Sequence, residues 1–272
     1  MSSHPRRTAG ALLASVAALL TAGVPAAAAA TPTPQPKPTT SDPAPKASAP
    51  VPDPRATVAV LDLDAGGATP VIQGEDRAYD TASIVKVDIL AALLLKAQDE
   101  HRTLTDEERG HAEPMIRRSD NEAANALWKE IGRAPGLTAA NDRLGLTSTT
   151  AGPGGKWGLT RTTASDQIRL LRAVFDDGAP TPLTDDARAY IRTLMAGVLP
   201  EQSWGVSAVN AAGTELKNGW LQRTTTGLWD VNSIGEVTLG GHRCLVAVLS
   251  DGSASMSDGV SLVERTARAA VA

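Results

Sequence analysis

The stretch Ser83-Ile84-Val85-Lys86-Val87-Asp88-Ile89-Leu90-Ala91-Ala92-Leu93-Leu94-Leu95 decides the reading of this chain. Its apolar residues run most of the way round a helical wheel, so a helix from about Ser83 to Gln98 is expected to be buried on nearly all sides. Thr81 or Ser83 is expected to cap its start. Ser83 and Lys86 stand at i and i+3, on one face of that helix. The helix N-terminus favours negative charge developing at the first turn. Burial among Ile84, Val85, Val87 and Ile89 disfavours an ammonium ion. A partly neutral lysine beside a serine makes a nucleophile with its own base. Taken alone, the same four residues also fit a plain structural reading, with Ser83 as a cap and Lys86 reaching out to solvent, so the rest of the chain has to decide.

Working outward, Thr57-Val58-Ala59-Val60-Leu61-Asp62-Leu63 reads as a strand by its β-branched and apolar content, with a turn at Asp64-Ala65-Gly66-Gly67 and a return strand at Pro70-Val71-Ile72. From Thr105 to about Gly178 the pattern is helical, broken by Gly and Pro. Helices are expected over 121–131 and 138–144, then from Thr163 or Ser165 onward, and over 185–195. Ala151-Gly152-Pro153-Gly154-Gly155 reads as a plain loop. Strands return over 213–220, 228–237 and 242–249, and a helix closes the chain from about Ser257 to Ala270. Strand, helices, then three strands and a helix is α+β segregation. An antiparallel sheet built from N- and C-terminal strands, flanked by helices and with a helical lobe, is the expected fold.

The ends bound the protein's setting. Residues 1–30 have a basic start (Arg6, Arg7), an apolar run from Ala9 to Leu20 and a small-residue end, the layout of a secretory signal peptide. The run is shorter than the roughly 20 residues a spanning helix needs, so no stable membrane insertion is expected after cleavage. Residues 31–54 hold nine of the eighteen prolines and almost no large apolar residue. That composition reads as an extended spacer. Residues 55–272 then form one domain, expected to be secreted and monomeric. Without the leader, 24 basic residues face 30 acidic ones, a net charge of −6 that points to neither nucleic acid nor anionic membrane. Cys244 is the single cysteine and lies in an apolar strand pattern, which reads as a buried structural thiol. His101 and His111 lack metal-ligand spacing, so no metal and no cofactor are expected.

Two further motifs follow Ser83 and Lys86. Ser119-Asp120-Asn121 precedes a helix, and Lys217-Asn218-Gly219 sits on a late strand before Trp220. Each is weak alone, because the first is also a good N-cap cluster. In this order and spacing they resemble the penicillin-recognising serine hydrolases, class A β-lactamases in particular. The flanks agree: Asn121-Glu-Ala-Ala-Asn-Ala-Leu, Ile131-Gly, the pair Thr162-Thr163 and the opening strand Val58–Asp62 are similar to that class. The resemblance implies roles. Ser83 would be acylated, Lys86 would take its proton, and Ser119 would pass one to the leaving nitrogen. Asn121 would hold the substrate's side-chain amide, Lys217 would attract its carboxylate and support the proton relay, and Asn218 can hydrogen-bond that carboxylate, while Gly219 allows a ligand backbone to lie close along the strand edge. The backbone N–H groups of Ser83 and Trp220 would form the oxyanion hole. The expected partner is a β-lactam or a small molecule like a peptidoglycan stem peptide. Among the tryptophans, Trp220 is expected to line the site, and Trp157, Trp204 and Trp229 to be packing residues.

The chain departs from that pattern in two places. No Asp or Glu lies between Arg143 and Ser165, where class A enzymes carry the glutamate that activates the deacylating water; Gly152-Pro153-Gly154-Gly155-Lys156-Trp157 occupies the region. Asn218 also stands where Thr or Ser is usual. Acylation is therefore expected, and turnover is open among a slow β-lactamase, a D-alanyl-D-alanine carboxypeptidase or penicillin-binding protein, and a non-hydrolytic wall-binding or sensory module.

Overall fold

A computed structural model describes residues 53–66, 69–210 and 212–272. The expected signal peptide (1–30) and all but the last two residues of the spacer (31–54) lie outside them. The described elements, in order, are strands β1 (Ala56–Asp62), β2 (Val71–Gln73) and β3 (Tyr79–Asp80), then helices α1 (Val85–Asp99), α2 (Asp106–Arg117), α3 (Asn121–Glu130) and α4 (Arg133–Leu144). Strand β4 (Arg161–Thr162) and helices α5 (Ala164–Phe175) and α6 (Asp185–Ala196) follow. Strands β5 (Glu215–Gln222), β6 (Trp229–Leu239) and β7 (His242–Ser250) precede the last helix, α7 (Met256–Ala270).

The main sheet has the order β2-β1-β7-β6-β5, antiparallel throughout. β7 is central, and its run Cys244–Leu249 is buried on both faces, as its unbroken apolar content requires. N-terminal β1 pairs with C-terminal β7 from Ala56↔Ser250 to Asp62↔Cys244. The fold is thus the expected α+β arrangement, with both ends of the domain in one sheet. One face is covered by α7, the other by α5, and α6 also packs on β5. α1 lies inside the helical lobe, touching α2, α3, α4 and α6. Twelve of its fifteen residues are buried, Lys86 and Asp88 among them. Cys244 is buried in β7 as expected. Among the described residues, no helix is long and apolar enough to cross a membrane.

The start of α1 differs from expectation. Neither Thr81 nor Ser83 caps it through a side chain; a 3-10 turn, Ala82–Ile84, leads into the helix instead. This frees the Ser83 hydroxyl. α4 begins at Arg133, five residues earlier than its apolar pattern suggested. Pro135 and Gly136 fall in its first turn, where proline breaks no intrahelical hydrogen bond.

α1 and α5 meet at a buried carboxyl. Burial pushes Asp88 up to about 8, Asp166 adds to that, and Gln167 opposes it. Neither Asp88 oxygen nor Gln167 Oε1 has a hydrogen-bond partner. The folded state holds this proton more tightly than the unfolded chain does. The associated stability is full below about pH 4 and is lost as pH rises toward 8. Asp88→Asn is expected to raise the melting temperature at pH 9 by about 2–8 °C, and to change it less at pH 5. Thermal melts at both pH values check this, and equal destabilisation at both would contradict it.

Candidate active site

Ser83 is half-buried, in the 3-10 turn that follows the β3 strand. The residue before it, Ala82, has φ +48°, a conformation that costs a non-glycine residue energy and persists only where neighbours enforce it. They do so here. Thr81 N–H donates to the Thr160 carbonyl (2.8 Å), and Asn232 Nδ2 donates to the carbonyls of Asp80 (2.9 Å) and Thr81 (3.1 Å). The Asp80 carboxylate pairs with Arg161 at 3.3 Å and with Arg223. The Ser83 turn is thereby tied to β4, to β6 and to the β5–β6 hairpin.

Lys86 lies one helical turn on and is fully buried. Its ammonium donates to Ser119 O (2.6 Å), Ser119 Oγ (3.1 Å) and Asn121 Oδ1 (2.9 Å). None of these three hydrogen bonds goes to Ser83. Lys217, on β5, reaches the same hydroxyl from the other side: its Nζ donates to Ser119 Oγ at 2.9 Å and to Asn218 O at 2.7 Å. Ser119 is itself held at φ +57°. Its oxygen accepts from two lysines, which uses both lone pairs and leaves its own O–H free to donate. In the second motif only Asp120 is a cap, accepting from Ala123 N–H at 2.8 Å. Ser119 and Asn121 serve Lys86.

Two cations converging on one hydroxyl away from water cannot both hold their protons easily. Burial pulls Lys86 down to about 7, with Asp120 opposing. Lys217 is held well below the usual lysine value, first by burial and then by Lys86. One of the two is thus available as a base near neutral pH.

On β5 the side chains alternate. Lys217 and Gly219 face the nucleophile turn, and Asn218 and Trp220 face the segment around residues 200–208. A Cβ at Gly219 would lie 2.7 Å from Ser83 N, 2.8 Å from Ile84 N and 2.8 Å from Thr81 O. All three are backbone atoms, so only glycine lets β5 lie this close to the Ser83 N–H. The Trp220 ring packs on Trp204, with centroids 5.9 Å apart. The expectation that its side chain lines the site is corrected: it packs on Trp204 instead. Asn218 is corrected too. Its Nδ2 donates to the carbonyls of Gln202 (2.7 Å) and Trp204 (2.9 Å), and its Oδ1 is buried without a partner. An amide is longer than a Thr or Ser hydroxyl, and it reaches across to those carbonyls.

Trp157 is the site residue the sequence reading missed. Its ring centroid lies 5.0 Å from Lys86 Nζ, and its Nε1 donates to Asn125 Oδ1 at 2.9 Å. It forms one wall of a cleft of about 590 Å³, with Leu159 and Leu221 as the other apolar walls and Lys156 and Arg223 among its lining. The clue was an aromatic inside a glycine-rich loop that lacks other large residues to pack it. Lys86 makes no hydrogen bond to a carboxylate among the described residues, and none of them forms a cluster suited to a metal ion.

No family model matches the chain. A curated relative, "Putative lipoprotein LppW" of Mycobacterium tuberculosis, is 30% identical over 173 residues, which is 61% of this chain and 54% of the relative. The same protein of Mycobacterium bovis matches equally. The chain thus spans about half the length of the curated relatives it matches. Solved structures share the fold. A class A β-lactamase from Bacteroides cellulosilyticus superposes with a TM-score of 0.67 at 17% identity, over 80% of this chain and 90% of that one. TLA-3 extended-spectrum β-lactamase gives 0.68 at 17% (79% and 91%), and PBP-A 0.65 at 20% (79% and 87%). The chain has a β-lactamase-like fold.

Gly219→Ala should push β5 off the nucleophile turn. On the acyl-transfer reading proposed below, displacement of about 1 Å at a reacting centre costs on the order of 10²-fold in rate, and covalent labelling of Ser83 by a β-lactam should slow by about that factor. Intact-mass kinetics check it; an unchanged rate would contradict the close approach.

Proposed function

We propose that this protein is a secreted serine acyl-transfer enzyme that forms an acyl-enzyme at Ser83 with a β-lactam or a D-Ala-D-Ala-like amide. The observation that carries this reading is the convergence of two buried lysines on Ser119 Oγ, beside a serine free of capping duty. In the proposed reaction Ser83 Oγ attacks the carbonyl carbon and its proton passes to neutral Lys86. The Ser83–acyl bond forms as the carbon–nitrogen bond breaks, and the leaving nitrogen takes the Ser119 hydroxyl proton. Lys217 or Lys86 restores that proton to Ser119. The Ser83 N–H, one of the donors facing the β5 edge, stabilises the oxyanion; such a donor is worth roughly 3 kcal/mol of barrier. The nucleophile, its base and the proton relay thus come from the 3-10 turn before α1, from α1 itself, from the α2–α3 junction and from β5.

Release of the acyl group is the slow half of the proposed cycle. No carboxylate stands in the loop between Arg143 and Ser165 to activate water, and the Trp157 ring covers Lys86 there. Absence of a general base removes about 10² to 10⁴ in rate. The D-Ala-D-Ala peptidase reading and the β-lactamase reading share the proton transfers of acylation and differ in the acyl donor and in how fast the acyl group leaves. An extracytoplasmic setting is supported by the leader-like residues 1–30 and by relatives named as lipoproteins.

Intact mass after mixing with a penicillin is expected to show an adduct that is absent in Ser83→Ala. No adduct with any β-lactam or acyl-D-Ala-D-Ala mimic would overturn the proposal. A chromogenic cephalosporin should be turned over far more slowly than it acylates. The acylation rate should also depend on pH in one direction. Lys86 acts in its neutral form and loses its proton at about 7, so the rate should rise through that pH and level off above it. Stopped-flow rates from pH 5 to 9 check this, and a flat or falling profile would contradict it.

A further inference from the structure

Strand β5 fixes where the cleft walled by Trp157, Leu159 and Leu221 stands in the proposed reaction. Residues two apart on a strand share a face, roughly 7 Å from one to the next. Lys217 reaches Ser119 Oγ, a Cβ at Gly219 would touch the backbone of Ser83, and Leu221, next on the same face, lines the cleft. Ser119, Ser83 and the cleft therefore follow one another along β5. The 3-10 turn that carries Ser83 also packs on the turn Trp157–Leu159. In the proposed reaction the leaving nitrogen takes its proton from Ser119. The nitrogen side of the substrate then lies toward Ser119, and its acyl side lies toward the cleft.

At about 590 Å³ the cleft has the size of a small-molecule pocket, about 300–1,000 Å³. Besides its apolar walls, its lining holds the cations Lys156 and Arg223 and no Asp or Glu. Lys156 is exposed, and its side chain has no ion-pair partner among the described residues. Its position is nonetheless fixed by the loop. Its N–H donates to Pro153 O at 3.3 Å, its carbonyl accepts from Leu159 N–H at 2.9 Å, and the adjacent Trp157 Nε1 donates to Asn125. The loop doubles back so closely that a Cβ at Gly152 would lie 2.2 Å from Lys156 O. The nearby acids are engaged elsewhere. Asp80 holds Arg161 and Arg223, Asp230 lies 4.0 Å from Arg223, and Glu122 accepts from Asn125 Nδ2 at 3.4 Å. An unpaired ammonium beside apolar walls suits a ligand with an apolar body and an anionic group.

The geometry points to Lys156 as a specificity-determining residue: the cleft receives the acyl side chain of the substrate, an apolar body that bears a carboxylate, and Lys156 pairs with that carboxylate. The substrate class is an amide or lactam whose acyl part carries a negative charge of its own. This inference rests on the acyl-transfer reading of Ser83, and it names the half of the substrate that stays on the enzyme in the acyl-enzyme.

Three penicillins test it. Benzylpenicillin, ampicillin and carbenicillin share one lactam nucleus and one phenyl group, and differ at the carbon next to the acyl carbonyl, which bears hydrogen, an amino group or a carboxylate. Rates of adduct formation on the full chain are followed by intact mass at low salt and about pH 6.5, where an α-amine is charged. Carbenicillin should react fastest and ampicillin slowest. An exposed ion pair is worth about two- to fivefold, so the ends of the series should differ by about four- to twentyfold. The spread should shrink in about 1 M salt. In Lys156→Gln the three rates should fall within about twofold of one another. Ampicillin reacting as fast as carbenicillin, or a ranking that survives Lys156→Gln, would overturn the inference and leave acyl transfer at Ser83 intact. Adducts from none of the three would overturn both. The wild-type ranking decides by itself if the variant does not fold.

Discussion

Two lysine side chains pointed at one serine hydroxyl, away from water, are the constraint around which the site is organised. An ammonium group buried without a carboxylate partner is costly, and a second one nearby makes it costlier. The structure meets that cost with oxygen dipoles. Ser119 O, Ser119 Oγ and Asn121 Oδ1 surround Lys86, and Ser119 Oγ and Asn218 O receive Lys217. Each of these acceptors lies on a different rigid element from the lysine it serves, apart from Asn218 O. α1, the α2–α3 junction and β5 must therefore be in register for either lysine to be tolerated. The positive φ of Ala82 and Ser119 belongs to the same arrangement: Ala82 precedes Ser83, Ser119 receives both lysines, and both strained residues are enforced by hydrogen bonds from other segments.

Much of this was legible in the sequence, for identifiable reasons. The all-round apolar helix after Ser83 announced a buried lysine, and the unbroken apolar run of β7 announced a central strand. The ordered motifs placed Ser83, Lys86, Ser119, Asn121, Lys217 and Gly219, and the structure brings these six together. What the motifs did not carry is direction. Asn218 and Trp220 sit at the expected places on the chain, yet strand alternation turns their side chains toward residues 200–208. Period-two reasoning from Lys217 would have shown it. The cap at Thr81 or Ser83 was misread because a 3-10 turn replaces the first helical turn, a choice set by tertiary ties to Thr160 and Asn232 that no local pattern records.

The loop between Arg143 and Ser165 shows the opposite case, in which an absence was legible and its replacement was not. The sequence shows that no acid is there. It does not show that Trp157, pinned by Asn125, lays its ring over Lys86 in that space. An aromatic face near an ammonium favours the charged form and excludes water. On the proposed reading, this apolar cover would keep water from the acyl group, which links the loop's composition to the expected imbalance between forming and releasing the acyl-enzyme.

The account stands on Lys86 being a base near neutral pH, and direct titration of its side-chain nitrogen tests that. In protein labelled with ¹⁵N-lysine, the Lys86 Nζ resonance, assigned by its loss in Lys86→Arg, should titrate with a midpoint at about 7. A midpoint near the ordinary lysine value, about 10.4, would mean that Lys86 stays charged through the neutral range and cannot take the Ser83 proton.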